Sequence, residues 1–337
     1  MKAVLIPCLL GIPASGQNIL HYTGTSGFDH GTREVSLAMF QGIACEHGFN
    51  IVNDNDGSTF NSLTSLQQFD AIVFSKTSGA ALLDADQRAN FEAYIAAGGS
   101  AMGIHAATDT YRHSTANGNN TGAWDFYAEL IGASVQEDPN HVDGTPLYDL
   151  THIGAHTSTT TLPDPWSKNE EYYYWEGGYY RDDNVPVLEV EETVGPNGEV
   201  NSYDAPRPIS WYRELPEGGR VFYTALGHAA SNFTEDALFR QHIEGALTWL
   251  IGAGTSIDLL TRTPGATAWP VPSTGYVHIS APDVSPDAAF DLYDDLGRRA
   301  LRSQLENHRA DLSGLPDGNY SMRLTGYNAV VPIRIVK

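Results

Sequence analysis

The chain is short of cysteine, of basic residues and of long apolar runs, and each shortage excludes something. Its 337 residues include two cysteines, Cys8 and Cys45. Cys8 falls inside an expected leader, so Cys45 would be alone afterwards and no intramolecular disulfide is expected. Cys45 shares a helical pattern with Val35, Met39 and Ile43 and reads as an inert core residue. Lys and Arg together number 19 against 41 Asp and Glu, a formal net charge of −22. Such a surface repels phosphate backbones, so nucleic acid is not an expected partner. No stretch approaches the length of a membrane-spanning helix. What is present is a 41% hydrophobic, 10% aromatic composition, ample for a buried core, in a length that suits one large domain plus a small one or two medium ones.

The opening "MKAVLIPCLLGIPASGQN" has Lys2, a short apolar run over 3–12 and small residues at 14–16, the layout of a secretory signal peptide over 1–16. From residue 17 to about 254, strand and helix patterns alternate. "NILHYTG" (18–24), "FNIV" (49–52) and "FDAIVFS" (69–75) read as strands, and Thr32 to His47 has helical spacing stopped by Gly48. Asp84 with Gln87 forms a capping box for a helix that ends at Gly98-Gly99. "SAMGIH" is the next strand, and Trp124 to Ile131 another helix. Further strands are expected at 187–191, 208–213 and 220–225, then a helix from Thr234 to Leu250. This alternation predicts a largely parallel sheet between helical layers. The Pro- and Gly-bearing stretch 255–275 reads as a linker, and 276–337 as a small all-β, sandwich-like module.

His105 leaves the buried strand "SAMGIH" into a turn of small residues, and strand carboxyl ends of open α/β sheets are where ligands sit. His228 follows another strand, in "RVFYTALGHAA". Two imidazoles and a carboxylate converging there would suit acid–base chemistry, or would hold a divalent ion such as Zn²⁺. No HExxH spacing is present, and the metal ligands stay unassigned. "EEYYYWEGGYYRDD" (170–183) packs five tyrosines and a tryptophan into fourteen residues, rings that stack on sugars or pack a sheet edge. Trp175 is the expected exposed platform. Substrate-binding candidates are His30, Tyr173, Trp175, Arg207 and Trp211. His141, His152 and His156 read as core residues.

The runs "DADQRANFEAYIAAGGSAMGIHAATD", "TTLPDPW", "EEYYYW", "RPISWYRELPEGGRVFYTALGH" and "FRQHIEGALTWLIG" resemble, in order, the trehalose-utilisation (ThuA-like) family over roughly 18–254. That resemblance implies a flavodoxin-like, class I glutamine amidotransferase-like α/β fold with helices on both faces of a parallel sheet. It also implies a role in sugar metabolism that includes oxidised (3-keto) glucosides. His105 and Asp109 match the family's Gly-Ile-His-Ala-Ala-x-Asp run, His228 its final Gly-His and His30 an early histidine. Its acidic pair falls on Glu170 and Glu171, with Glu171 taken as the site residue. Two departures stand out: Thr157 follows His156 where relatives have proline, and Arg207 stands where they often carry histidine. The amidotransferase turn carries cysteine where this chain has His105, which closes the thioester route. The tail, "DLYDDLGRRAL" with "ADLSGLPDGNYSMRL" and "IRIVK", resembles the C-terminal sorting domain of the type IX secretion system. Together these imply a secreted or cell-surface protein that processes a sugar or glycoside through His105, His228, Asp109 and Glu171. Competing readings are a non-catalytic glycan-binding protein and a divalent-metal hydrolase.

Overall fold

The structure, a computed structural model, describes residues 17–216, 218–252, 267–280, 284–294, 299–324 and 330–337. The expected leader over 1–16 lies outside these residues. The chain divides into two compact units, Met1–Ile251 and Gly252–Lys337.

In the first unit the order is β1 (Asn18–Tyr22), α1 (Arg33–His47), β2 (Asn50–Asp54), α2 (Leu63–Leu66), β3 (Ala71–Ser75), α3 (Ala85–Ala96) and β4 (Ser100–Ile104). There follow α4 (Asp125–Ile131), β5 (Ala133–Ser134), β6 (Leu147–His152), β7 (Trp166–Asn169), β8 (Tyr179–Tyr180) and β9 (Val185–Val190). The unit closes with β10 (Arg207–Glu214), β11 (Arg220–Thr224), α5 (Ala230–Thr234) and α6 (Ala237–Leu250). Local chemistry sets several of these boundaries. Asp84 and Gln87 form the expected capping box on α3, and Gly48 ends α1 at φ +75°, a conformation open to glycine at little cost. The last helix starts three residues later than expected, at Ala237, and Thr234 instead ends the short α5. Asp236 accepts the Phe239 N–H and starts α6 afresh after the short α5.

Nine strands form one sheet in the order β2-β1-β3-β4-β11-β10-β9-β6-β7. The first five are parallel, and β10, β9, β6 and β7 each run antiparallel to the neighbour before them. The largely parallel expectation therefore applies to only half the sheet. Parallel neighbours need crossovers of a dozen or more residues, usually helical. The stretch from β6 to β10 contains no α-helix, so its strands pair antiparallel. β3 and β4 are buried at every position, as strands covered on both faces should be. Gly103 of β4 faces Ile131 of α4, whereas the next residue, Ile104, lies under Gly227 near Phe239 of α6. Successive residues of a strand point to opposite faces, so α4 and α6 cover opposite sides of the sheet.

His242 of α6 is fully buried among the Ser158 carbonyl, Thr224 Oγ1 and Ser210 Oγ. Burial pushes its pKa from the ordinary 6.5 down to about 3, and burial likewise takes His21 to about 4. Between those values and 6.5 the unfolded chain binds protons that the folded chain refuses, so stability falls as pH drops below about 6.5. Each such group removes up to about 1.4 kcal/mol per pH unit in that window. Urea melts at pH 7, 6, 5 and 4 should show this slope, and His242→Gln should flatten it.

Cys45 is exposed on α1 rather than part of the core, which corrects that expectation; it is not a free thiol in the full chain, and Cys8 lies outside the described residues.

The second unit contains β12 (Thr267–Trp269), β13 (Tyr276–Ser280), β14 (Ala289–Asp294), β15 (Arg299–Gln304), β16 (Arg309–Asp311), β17 (Gly318–Leu324) and β18 (Val330–Ile335). They form antiparallel sheets β12-β13-β16 and β15-β14-β17-β18 that share one core, including Val277, Phe290, Leu292, Ala310 and Met322. β12 falls inside the stretch expected to be linker, since pairing with β13 orders it; residues 253–266 lie outside the description.

Candidate functional site

Four parallel strands deliver side chains to one place. His30 lies in the loop after β1, Lys76 directly after β3, His105 directly after β4 and His228 four residues after β11. β2 and β3 flank β1 on opposite sides, so the strand order reverses there, the kind of switch point at which open α/β sheets form a crevice. Lys76 and His105 both sit at positive φ, +56° and +50°. Non-glycine residues seldom adopt this conformation, and it turns the chain sharply at the strand exits.

His105 is sealed from solvent. Its Nδ1 meets the Ala225 carbonyl at 2.7 Å, and its Nε2 meets the Tyr173 hydroxyl at 2.9 Å, Glu171 Oε2 at 3.2 Å and His228 Nδ1 at 3.3 Å. His228 Nδ1 is also 3.2 Å from Glu171 Oε2, and this side chain is 30% exposed. The His30 ring stands edge-on to both, with centroids 5.0 Å from His105 and 5.3 Å from His228. Burial, with His105 and Lys76 nearby, pushes the His30 imidazole well below its ordinary pKa, and burial lowers that of His105 too. Burial opposes ionisation of Glu171, but contacts with His105 and His228 outweigh it and hold the carboxyl well below the usual carboxylate range. Burial also brings Lys76 down to about 7. Its Nζ donates to the His228 carbonyl. His30 and His105 are thereby held neutral beside the Glu171 carboxylate, in surroundings where charge is expensive.

The two adjacent acids divide the work. Glu170, 1% exposed, accepts the backbone N–H of Gly227 at 2.7 Å and of His228 at 3.0 Å, and the Asn232 amide at 2.9 Å. It braces the loop that carries His228, while Glu171 faces the histidines. His141, read from sequence as a core residue, belongs here: its Nε2 lies 3.2 Å from Glu171 Oε1, and its Nδ1 2.6 Å from the Val142 carbonyl. Lys76 escaped the sequence reading, although a lone cation directly after a nearly all-apolar strand was the available signal.

Other candidates lie elsewhere. Asp109 accepts from Ser78 Oγ at 2.7 Å and pairs with Arg112 at 3.2 Å, which ties the turn after β4 to the β3 exit. Burial raises its pKa. Trp175 is buried rather than exposed, its indole N–H on the Pro208 carbonyl at 2.8 Å and its ring against Trp211. Trp211 is itself fully buried and donates to the Ile131 carbonyl. Tyr172 and Tyr174 are buried as well, so this part of the aromatic run forms core rather than a platform. Arg207 lies over Tyr174 and donates to the Tyr173 carbonyl at 2.7 Å, supporting the segment from beneath. Its departure from the family pattern therefore lies outside the histidine cluster. His156 stacks between Tyr212 and Phe222.

Residues 18–250 match the family described as ThuA, trehalose utilisation. No curated protein matches the chain. Among solved structures, a ThuA-like protein from Bacteroides uniformis is 17% identical with a TM-score of 0.55, covering 73% of this chain and 95% of its own. Another, from Parabacteroides merdae, is 15% identical with a TM-score of 0.50, covering 71% and 91%. At these identities the likeness establishes the α/β fold alone.

Proposed function

Since the chain belongs to the ThuA trehalose-utilisation family, we propose that it is a carbohydrate-processing enzyme whose reaction centre is His105, His228 and Glu171, flanked by His30, His141, Tyr173 and Lys76. The family ties the chain to carbohydrate utilisation; the chemistry is our reading. One observation carries it: imidazoles 123 residues apart in sequence meet at 3.3 Å on a shared carboxylate oxygen, at the rim of the parallel strands. A core histidine needs a hydrogen bond but has no need of two other imidazoles and a carboxylate.

In the neutral state His105 keeps its proton on Nδ1, toward the Ala225 carbonyl, so Nε2 is an acceptor and the Tyr173 hydroxyl 2.9 Å away donates to it. His228 is the imidazole that solvent and substrate reach. An imidazole so placed takes a proton from a sugar hydroxyl, or from the carbon beside a keto group, and returns it elsewhere on the ring. A Lys76 amine near pKa 7 is poised to accept or donate a proton at neutral pH. The (possibly 3-keto) glycoside fits this chemistry, because a keto group acidifies the neighbouring C–H. A glycan-binding role through aromatic stacking loses its support with the burial of Trp175.

In the same reading the protein is exported, with 1–16 as signal peptide and the C-terminal module as type IX sorting domain. The apolar run over 3–12 and the "ADLSGLPDGNYSMRL" segment support this. Retention in the cell after deletion of 276–337 is the expected result, and unchanged export would remove the assignment.

The test of function is a panel of glycosides, each in unoxidised and 3-keto form, followed by product analysis. Turnover of at least one member is expected, with His105→Asn inactive; asparagine is chosen because it tolerates positive φ. A panel wholly unchanged by the wild-type protein would refute the proposal.

A further inference from the structure

We propose that His30, His105, His228 and Glu171 bind one divalent first-row transition-metal ion, of which zinc is the representative. This rests on the reading above only for the reaction the ion would serve. With the ion bound, the facing nitrogens of His105 and His228 would be ligands rather than proton acceptors, and proton transfer would fall to Lys76. The donor spacing is the main argument. His105 Nε2, His228 Nδ1 and Glu171 Oε2 form a triangle with sides of 3.3, 3.2 and 3.2 Å. Zinc bonds of about 2.0–2.1 Å place tetrahedral ligands about 3.3–3.4 Å apart. The triangle therefore matches one face of a coordination tetrahedron. A ring nitrogen of His30 joins it, all four donor atoms lying within 4.8 Å of one another.

The surroundings are those of a ligand set. The Ala225 carbonyl at 2.7 Å fixes His105 with Nε2 inward, leaving that lone pair facing a carboxylate oxygen at 3.2 Å. The Tyr173 hydroxyl at 2.9 Å is the proton donor this nitrogen otherwise has, and a cation would take its place. His141 buttresses the other oxygen of Glu171, the outer-shell contact that ligating carboxylates usually have. Buried His30 Nδ1 has no hydrogen-bond partner among the described residues, a cost of about 1–3 kcal/mol that metal coordination of the ring can offset. Three imidazoles and one carboxylate suit zinc and its first-row neighbours, while calcium and magnesium prefer all-oxygen sites. The partial exposure of His228 leaves an approach for a sugar oxygen or a water.

The experiment uses the full chain without an added histidine tag, stripped with a chelator, dialysed and titrated with Co²⁺. The expected result is one equivalent bound, read as visible d–d absorption and displaced by Zn²⁺. Glu171→Gln and His228→Ala should each weaken binding by at least ~10-fold, and His141→Ala by ~10–100-fold. His47→Ala, on the outer face of α1, should bind as wild type. Circular dichroism and thermal melts identify any variant that has not folded, and the proposal then rests on the remaining ones. No uptake by the wild type, or uptake indifferent to all three site variants, overturns it. Glycoside turnover by a protein that takes up no Co²⁺ would sink the metal and leave the proposed function. One equivalent bound with no turnover on any glycoside would do the reverse.

Discussion

Replacing His228 by alanine should lower turnover of an accepted glycoside by ~10²-fold or more, the range that a positioned acid–base group supplies. The melting temperature should stay close to that of wild type. Both halves of this expectation follow from position. The side chain is 30% exposed, so truncating it opens little cavity, and its loop is held by backbone contacts to Glu170 that the substitution leaves intact. The lost groups are those facing His105 and Glu171. Initial rates for the two proteins, measured beside their melting curves, decide the matter. A variant with at least half the wild-type rate would remove His228 from the chemistry, whatever the geometry suggests.

Glu170→Ala should produce the opposite pattern, a loss of stability of about 3 kcal/mol that carries activity down with it. Hydrogen bonds to a charged acceptor contribute about 1.5–3 kcal/mol each, and an unpartnered buried donor carries its own desolvation cost. Glu170 receives the Gly227 and His228 N–H groups and the Asn232 amide in a site closed to water. Lys168 would lose a partner 3.8 Å away but keep Asp236 at 2.6 Å, so no lysine is stranded. Chemical denaturation gives the measurement, as a fall in the urea midpoint. Glu170→Gln, which keeps the volume and one acceptor, should fall between the two. Wild-type stability in Glu170→Ala would mean that the 227–228 loop is held by something other than this carboxylate.

The parallel half of the fold was legible because its signals are local: nearly all-apolar β3, the capping box of α3, and the glycine stops. The antiparallel half was not. Residues 135–215 hold short strands whose direction depends on which neighbour each one finds, and that information is not local. The site divides the same way. His105 and His228 could be placed by their strands, since a strand end is a position in the sheet. His141 sits in an irregular loop and is defined only by its contact with Glu171. Whether Glu170 or Glu171 faced the crevice was a question of one residue's register, settled by the backbone N–H groups that capture Glu170. Trp175 misled for a plain reason: a dense aromatic run reads alike whether it faces water or core, and only the Pro208 carbonyl and the Trp211 ring show which.

His30, Lys76, His105, Glu171 and His228 span almost two hundred positions, and no two of them except on a finished sheet lie near enough to act together. Long loops must close before such a centre exists, and closures of that kind come late in folding. On the proposed function, a chain cut in its middle should therefore show no glycoside turnover rather than a fraction of it. Complementation between separately expressed pieces, one ending before residue 141 and the other beginning there, would restore activity only by rebuilding the whole rim at once.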